Sequence, residues 1–115
     1  MAKAVGPYTP VVRAGDWLIV SGQIGVRDGS LVTGGMRDEL RQALANLRAL
    51  LEGEGASLDD VVKTTVFLRH IDDYAVMNEA YIQSFGDHRP ARAAVAVAGL
   101  PLGALVEVEA WAFTG

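Results

Sequence analysis

Hydrophobic residues follow two different periods along this 115-residue chain. A helical period of three to four residues predicts one helix over 36–52 and a second from a cap at Asp72 or Asp73 to about Phe85. Segments in which hydrophobic residues recur with a period of two, and which are rich in β-branched residues, are predicted to form strands. The predicted strands are 11–13, 17–23, 61–69, 91–98 and 105–113. This order, ββ-α-β-α-ββ, predicts a single α+β domain over 1–115, with one mixed sheet and both helices on one face.

Neither of the last two predicted strands has an ordinary polar face, although one face of 105–113 carries Glu107 and Glu109 among Leu105, Trp111 and Phe113. In 91–98 one face carries alanines and valines, and the other carries Arg92 and three alanines. An open sheet face is normally polar, and two helices cover only one face. We therefore expect further copies of the chain to cover the second face, with cover by loops as the alternative.

Amino-acid composition excludes several kinds of chemistry and argues against some kinds of partner. The absence of cysteine excludes disulfides, thiolate catalysis and cysteine-ligated metals. A net charge of −4 without a basic run argues against nucleic acid as a partner, and equally against an anionic membrane. No apolar run approaches the roughly 20 residues of a membrane span, and no signal peptide is visible, so we expect a cytoplasmic protein. His70 and His88 are expected to be solvated loop residues rather than metal ligands.

Arg92 is the most informative polar residue, because it interrupts an apolar strand on the face assigned to the oligomer interface. A buried guanidinium must be paired, and its planar fork suits a carboxylate. Two interpretations stay open. Arg92 could form a structural salt bridge with Glu107 on the next strand, or it could bind the carboxylate of a ligand.

Several segments in order resemble the Rid/YjgF family of reactive-intermediate deaminases, also known as L-PSP endoribonucleases. They are Gly6-Pro7-Tyr8, Ser21-Gly22-Gln23-Ile24, DVVKTTVF at 60–67, Asp73-Tyr74 with Asn78-Glu79-Ala80-Tyr81, and PARAAVAVAGL at 90–100 followed by VEV at 106–108. The resemblance implies a chorismate-mutase-like fold and a homotrimer with sites between subunits. It also implies hydrolysis of reactive 2-imino or enamine acids, such as 2-aminoacrylate-type intermediates, to 2-oxo acids and ammonia, without a metal or organic cofactor.

The same resemblance implies roles for individual residues. Arg92 would bind the substrate carboxylate, Glu107 would orient or activate water, and Tyr8 would line the pocket with its ring or hydroxyl. The remaining positions that resemble substrate-binding residues of the family are Ser21, Gly22, Asn78 and Ala94. For Glu107, Tyr8, Ser21, Gly22 and Asn78, a structural role stays open beside the functional one.

The sequence departs from the family pattern near Arg92. Ala94 stands where many members have cysteine, so a thiol is not part of the expected chemistry. The loop over 86–89 is shorter than in typical deaminases and adds Arg89, which leaves the preferred imino acid and the roles of Arg89 and His88 open. Two other functions also stay open: an endoribonuclease or translation inhibitor, and a non-enzymatic protein that binds small carboxylates.

Overall fold

Two helices and five of the seven strands follow the predicted order within residues 6–115, the part of the chain that the computed structural model describes; the short strands at 26–27 and 30–31 were not predicted. The predicted α+β class is confirmed. In chain order the elements are β1 (Val11–Ala14), β2 (Trp17–Gln23), β3 (Val26–Arg27), β4 (Ser30–Leu31), α1 (Met36–Gly53), β5 (Val61–Leu68), α2 (Tyr74–Phe85), β6 (Ala91–Ala96) and β7 (Val106–Phe113).

The main sheet has five strands in the order β1-β2-β7-β5-β6. β5 and β6 are parallel, and the other neighbouring pairs are antiparallel, so the sheet is mixed. β5 lies between β6 and β7, although β6 and β7 follow each other along the chain. The short strands β3 and β4 form a separate hairpin around Asp28 and Gly29. Both of these residues have positive φ, 54° and 87°, as a two-residue Asp-Gly hairpin turn requires.

Both helices cover the same face of the sheet. The apolar stripe of α1, including Leu40, Leu44 and Leu47, packs with Met77 and Tyr81 of α2 into one buried cluster. Alternate residues of β2, β5 and β7 complete that cluster, and removing each large aliphatic side chain from water contributes about 1.5–3 kcal/mol. The sheet residues buried there are Leu18, Val20, Val61, Val66, Leu68, Val106, Val108, Ala110 and Ala112.

The second face of the sheet is uncovered within residues 6–115, and it carries aromatic and aliphatic side chains together with Lys63, Glu107 and Glu109. Trp111 and Val95 keep 43% and 45% of their surface exposed. The Trp17 ring packs edge-on against Phe113 and Trp111, with centroid distances of 5.0 and 6.1 Å, and all three rings stay open to solvent. The predicted open face is present and the described loops do not cover it, but the charged residues of β5 and β7 make it only partly apolar.

Arg92 does not lie on this open face, so its predicted place there is wrong. The parallel register pairs Arg92 with Thr64, which is fully buried beneath α2, and neighbours across a sheet share a face. Glu107 pairs with Phe67 and points to the open face. Because β5 separates their strands and the two side chains point to opposite faces, the predicted salt bridge between Arg92 and Glu107 is also wrong within one chain.

Two local predictions also need correction. Asp73 precedes α2 but makes no capping hydrogen bond through its side chain, because residues 71–73 form a 3₁₀ turn that leads directly into the helix. His88 is not a solvated loop residue. Its Nε2 lies 2.7 Å from the Val61 carbonyl oxygen, and its ring lies near that of Phe85, so His88 ties the short loop before β6 to the start of β5.

The close approach of Gly25 to α1 yields a stability test. A Cβ at Gly25 would lie 2.5 Å from the Glu39 carbonyl oxygen, which the helix holds in place. We expect Gly25→Ala to lower the free energy of unfolding by about 1–3 kcal/mol. Urea unfolding at one fixed protein concentration measures the change.

The matched control is Gly99→Ala, because a Cβ there meets nothing within 4 Å and the backbone is not left-handed. We expect this variant to stay within about 0.5 kcal/mol of the parent protein. Equal stabilities for the two variants would contradict the described packing of Gly25.

Candidate active site

The Arg92 guanidinium lies between the edge strand β6 and helix α2, surrounded by neutral side chains. Its Nη2 donates to Asn78 Oδ1 at 2.8 Å and to the Tyr74 hydroxyl at 3.1 Å, and Nη1 lies 3.5 Å from the sulfur of Met77. Its Cζ is 4.9 Å from the ring centroid of Tyr81 and 5.5 Å from that of Tyr74, within cation–π range. These contacts fix the orientation of the planar cation.

Helical spacing explains why α2 supplies this environment. Tyr74, Asn78 and Tyr81 are separated by four and three residues, so they follow one another along a single side of the helix. The Tyr81 hydroxyl lies 2.7 Å from Thr64 Oγ1 beneath Arg92. Burial raises the pKa of Tyr81, against the opposing effects of the Thr64 hydrogen bond and of nearby arginine charges. Tyr81 therefore stays protonated and offers a neutral ring to the cation.

No carboxylate within residues 6–115 is paired with Arg92. The ion pairs of this part of the chain join other arginines to acids, namely Arg13–Glu54, Arg37–Glu79 and Arg41–Asp38. Arg92 is half-buried, and its described hydrogen bonds end on an amide oxygen, a phenol and a thioether. A partly desolvated cation with neutral neighbours favours an anion from outside the chain.

A second group of predicted residues gathers where β2 bulges. Between positions 20 and 23, β2 contains one residue more than the facing part of β7. At this bulge the Ser21 hydroxyl donates to the Thr9 carbonyl at 2.6 Å, and the Ser21 N–H donates to the Pro10 carbonyl at 2.9 Å. The two bonds hold the segment that carries Tyr8 against the end of β2.

Glu107 lies against the next residue of the bulge, Gly22. A Cβ at Gly22 would come within 2.7 Å of the Glu107 carboxylate carbon and of its Oε2, so a glycine is needed for the carboxylate to lie over β2. Burial raises the pKa of Glu107, and the charge of neighbouring Glu109 raises it further. A raised pKa brings this carboxyl closer to the range in which it can exchange protons with a substrate or water.

Within one chain, the predicted site residues therefore lie in two separate groups. The first lies under α2 at the edge of the sheet and comprises Arg92, Asn78 and Ala94, the last of which packs against the core beside Val66. The second lies at the open-face end of β2 and β7 and comprises Tyr8, Ser21, Gly22 and Glu107. Two strands separate β6 from β2, a distance of roughly 14 Å at the usual strand spacing.

Sequence reasoning missed the contacts that Tyr74, Met77 and Tyr81 make with Arg92. Tyr74 and Tyr81 carry hydroxyl groups, which a side chain that only fills the apolar stripe of α2 does not need. Their spacing with Asn78 was the signal, because an amide and two phenols on one side of a helix can surround a cation. Finding the contact also required knowing that β6 runs beneath α2.

The described residues offer neither a candidate metal site nor a membrane-spanning helix. Among residues 6–115, no group of three or more histidine, aspartate or glutamate side chains could hold a metal ion. Neither helix in this part of the chain has the length and hydropathy to cross a membrane.

Known proteins resemble this chain over nearly its full length. The family model described as endoribonuclease L-PSP matches residues 1–114. Human 2-iminobutanoate/2-iminopropanoate deaminase is 45% identical over 114 residues, which cover 97% of this chain and 83% of the human protein. A RutC family protein of Pyrococcus horikoshii is also 45% identical, over 96% of this chain and 90% of its own.

Solved structures agree with this assignment. The crystal structure of a Thermotoga maritima protein named as a candidate endoribonuclease superposes with a TM-score of 0.94 at 47% identity, and covers 98% of this chain and 91% of that one. RidA from the Antarctic bacterium Psychrobacter sp. PAMC 21119 superposes with a TM-score of 0.93 at 39% identity, covering 96% and 91%. The resemblance to the Rid/YjgF family in the sequence is therefore confirmed, and this chain belongs to the endoribonuclease L-PSP family, which includes proteins named RidA and 2-iminobutanoate/2-iminopropanoate deaminase.

Proposed function

We propose that this protein hydrolyses small 2-imino acids to 2-oxo acids and ammonia. The observation that carries the proposal is Arg92, a half-buried cation oriented by neutral side chains and without a carboxylate partner within residues 6–115. The carboxylate of a 2-imino acid would supply the missing anion in a geometry that suits the guanidinium fork. Relatives with 43–45% identity are named 2-iminobutanoate/2-iminopropanoate deaminases, which supports short aliphatic imino acids as the substrate class.

We further propose a chorismate-mutase-like homotrimer in which each active site combines two copies of the chain. Two features support it. The apolar side chains of Trp111 and Val95 are exposed on the open face and need a cover, and Glu107 points to that face whereas Arg92 points away from it. A neighbouring copy packed on the open face can bring its Arg92 to the Glu107 of the first. Repeating one such contact around a three-fold axis closes a ring and leaves no open face.

The proposed reaction consumes one water and changes no oxidation state. The water oxygen bonds to the imine carbon while a proton reaches the nitrogen, which gives a carbinolamine. Loss of ammonia from that carbon, with transfer of the hydroxyl proton to nitrogen, leaves the 2-oxo acid. Arg92 holds the carboxylate, and Glu107 takes the proton of the attacking water and delivers it to nitrogen.

The other residues of the proposed site position the substrate or Arg92 and take no part in making or breaking bonds. Tyr8 lines the pocket, while Ser21 and Gly22 place backbone groups of the bulge beside the imine nitrogen. Asn78 orients the Arg92 guanidinium by accepting a 2.8 Å hydrogen bond from it. Ala94 is a small apolar residue on the same side of β6 and packs against the core.

Charge favours this reaction over RNA cleavage, the activity named in the family description. Binding RNA requires arginines and lysines that can neutralise phosphates. Here the chain carries a net charge of −4, and three arginines of the described region are already paired with acids.

Imine hydrolysis can be measured directly. An amino-acid oxidase or dehydratase generates the imine, and 2-oxo acid release is followed with and without this protein. We expect faster release with the protein present. Unchanged release for every imino acid tried, together with degradation of RNA by the same preparation, would contradict the proposal.

The role of Arg92 can be tested by two substitutions. Arg92→Lys keeps the charge and loses the fork, and Arg92→Ala loses both, so we expect each to lower kcat/KM by about ten- to a hundredfold. Steady-state assays of imine hydrolysis measure the loss.

Both variants should remain folded and sediment as the parent trimer. The partners of Arg92 within residues 6–115 are neutral, so its removal strands no carboxylate of the same chain, and the stability of the subunit should not fall by the roughly 3–5 kcal/mol of a broken buried ion pair. An Arg92→Ala trimer with full activity would refute the role assigned to this residue.

The pKa of Glu107 predicts how activity depends on pH. A base must be ionised, and burial with the nearby Glu109 charge raises the pKa of Glu107 above its ordinary 4.5. We expect kcat/KM to fall as the pH drops through this raised pKa. Glu107→Gln should lower activity and remove the acid limb, whereas Glu109→Gln should keep the limb and shift it to lower pH. An acid limb that persists in Glu107→Gln would show that another group is the base.

The same pKa sets the sign of an effect on stability. Because folding favours protonated Glu107, its charge destabilises the protein above the raised pKa and has no effect well below 4.5, where both states are protonated. Glu107→Gln should therefore stabilise the protein at neutral pH, and the gain should vanish in acid. Urea unfolding of both proteins at the two pH values measures this difference.

A further inference from the structure

The hydrogen bonds of Arg92 leave little of its fork available for a ligand. A guanidinium has five N–H groups. Both protons of Nη2 are taken, by Asn78 and Tyr74, and one proton of Nη1 faces the sulfur of Met77. Among bonds to the described residues, this leaves the Nε proton and one Nη1 proton.

These two remaining protons cannot bind a carboxylate together. A carboxylate contacts a guanidinium bidentately through two parallel N–H groups, either Nη1 with Nη2 or Nε with Nη2. Both pairs include a proton of Nη2. A bidentate ligand must therefore take the place of either Asn78 or Tyr74.

Tyr74 is the partner in the better position to give way. Its hydroxyl is 3.1 Å from Nη2, compared with 2.8 Å for Asn78 Oδ1, and its side chain is 43% exposed whereas Asn78 is half-buried. A phenol also differs from the amide oxygen in its chemistry. It can accept a hydrogen bond from Arg92 and can equally donate its own proton to an anion.

We infer that the Tyr74 hydroxyl is a carboxylate-binding group that leaves Arg92 Nη2 when the ligand arrives and donates its own proton to the incoming carboxylate. The Tyr74 ring stays against the guanidinium while the hydroxyl exchanges one partner for the other. This inference rests on the proposed function in one respect, the binding of a carboxylate by Arg92. It adds to the site a residue of the same chain whose hydroxyl touches the substrate.

Tyr74→Phe tests the inference because it keeps the ring over Arg92 and removes only the hydroxyl. The probe is 2-oxobutanoate, a stable 2-oxo acid, with its Kd measured by isothermal titration calorimetry. We expect Kd to rise about tenfold, as for loss of a hydrogen bond to a charged group. KM for imine hydrolysis should rise by a similar factor, whereas kcat should change less than about threefold, because the contact is already made in the ground state.

The matched control is Gln83→Ala, which changes an exposed side chain on the opposite side of the same helix from Tyr74, where it accepts a hydrogen bond from Arg41. Its Kd, KM and urea midpoint should equal those of the parent protein. Tyr74→Phe should keep the parent's urea midpoint and trimer as well, since its hydroxyl is exposed.

Each outcome separates this inference from the proposed reaction. An unchanged Kd and KM in an active Tyr74→Phe protein would overturn the inference and leave the reaction standing. Tighter binding by the variant would also overturn it, because the hydroxyl would then only compete with the ligand. If the parent binds 2-oxobutanoate in a Tyr74-dependent way but hydrolyses no imine, the reaction fails and the carboxylate site stands. A parent protein that neither binds the probe nor hydrolyses imines contradicts both.

Discussion

The parallel pairing of β6 with β5 determines where the chemistry of this protein can occur. It sets Arg92 beside buried Thr64, and therefore beneath α2, while Glu107 on β7 points to the other face of the sheet. The cation and the carboxylate of the proposed mechanism are thereby kept apart within one chain. They cannot neutralise each other as an internal salt bridge, so each remains available to a ligand or to a second copy.

Separating the two charges has an energetic cost, which local interactions reduce. Two tyrosine rings and two hydrogen bonds stabilise Arg92 without neutralising it, and a cation–π contact contributes about 0.5–2 kcal/mol depending on its exposure. Gly22 leaves room for Glu107 over the β2 bulge, where burial raises its pKa. The fold thus keeps the two groups of the proposed mechanism, a guanidinium with neutral neighbours and a carboxyl of raised pKa, at two separate places on one chain.

Periodicity predicted the elements well because each has a clear pattern: α1 ends within one residue of its predicted limit, and β5 reads as a β-branched run. It could not assign a face to Arg92, because small apolar residues line both sides of β6 and only the pairing register decides between them. Nor could it place β5 between β6 and β7, since two consecutive strands suggest neighbours. Most site residues followed from resemblance alone, and the contact of Tyr74 with Arg92 required the three-dimensional position of α2.

The proposed mechanism requires one active site to combine Arg92 of one copy with Glu107 of another, and mixed assemblies test this requirement directly. Arg92→Ala and Glu107→Gln chains are co-expressed in equal amounts, all the oligomers are purified together, and imine hydrolysis is compared with that of each variant alone. In a randomly mixed ring, about one site in four would pair an intact Arg92 with an intact Glu107 from its neighbour. The account therefore predicts about a quarter of the parent activity from two nearly inactive chains. Activity no higher than the average of the two variants alone would contradict it.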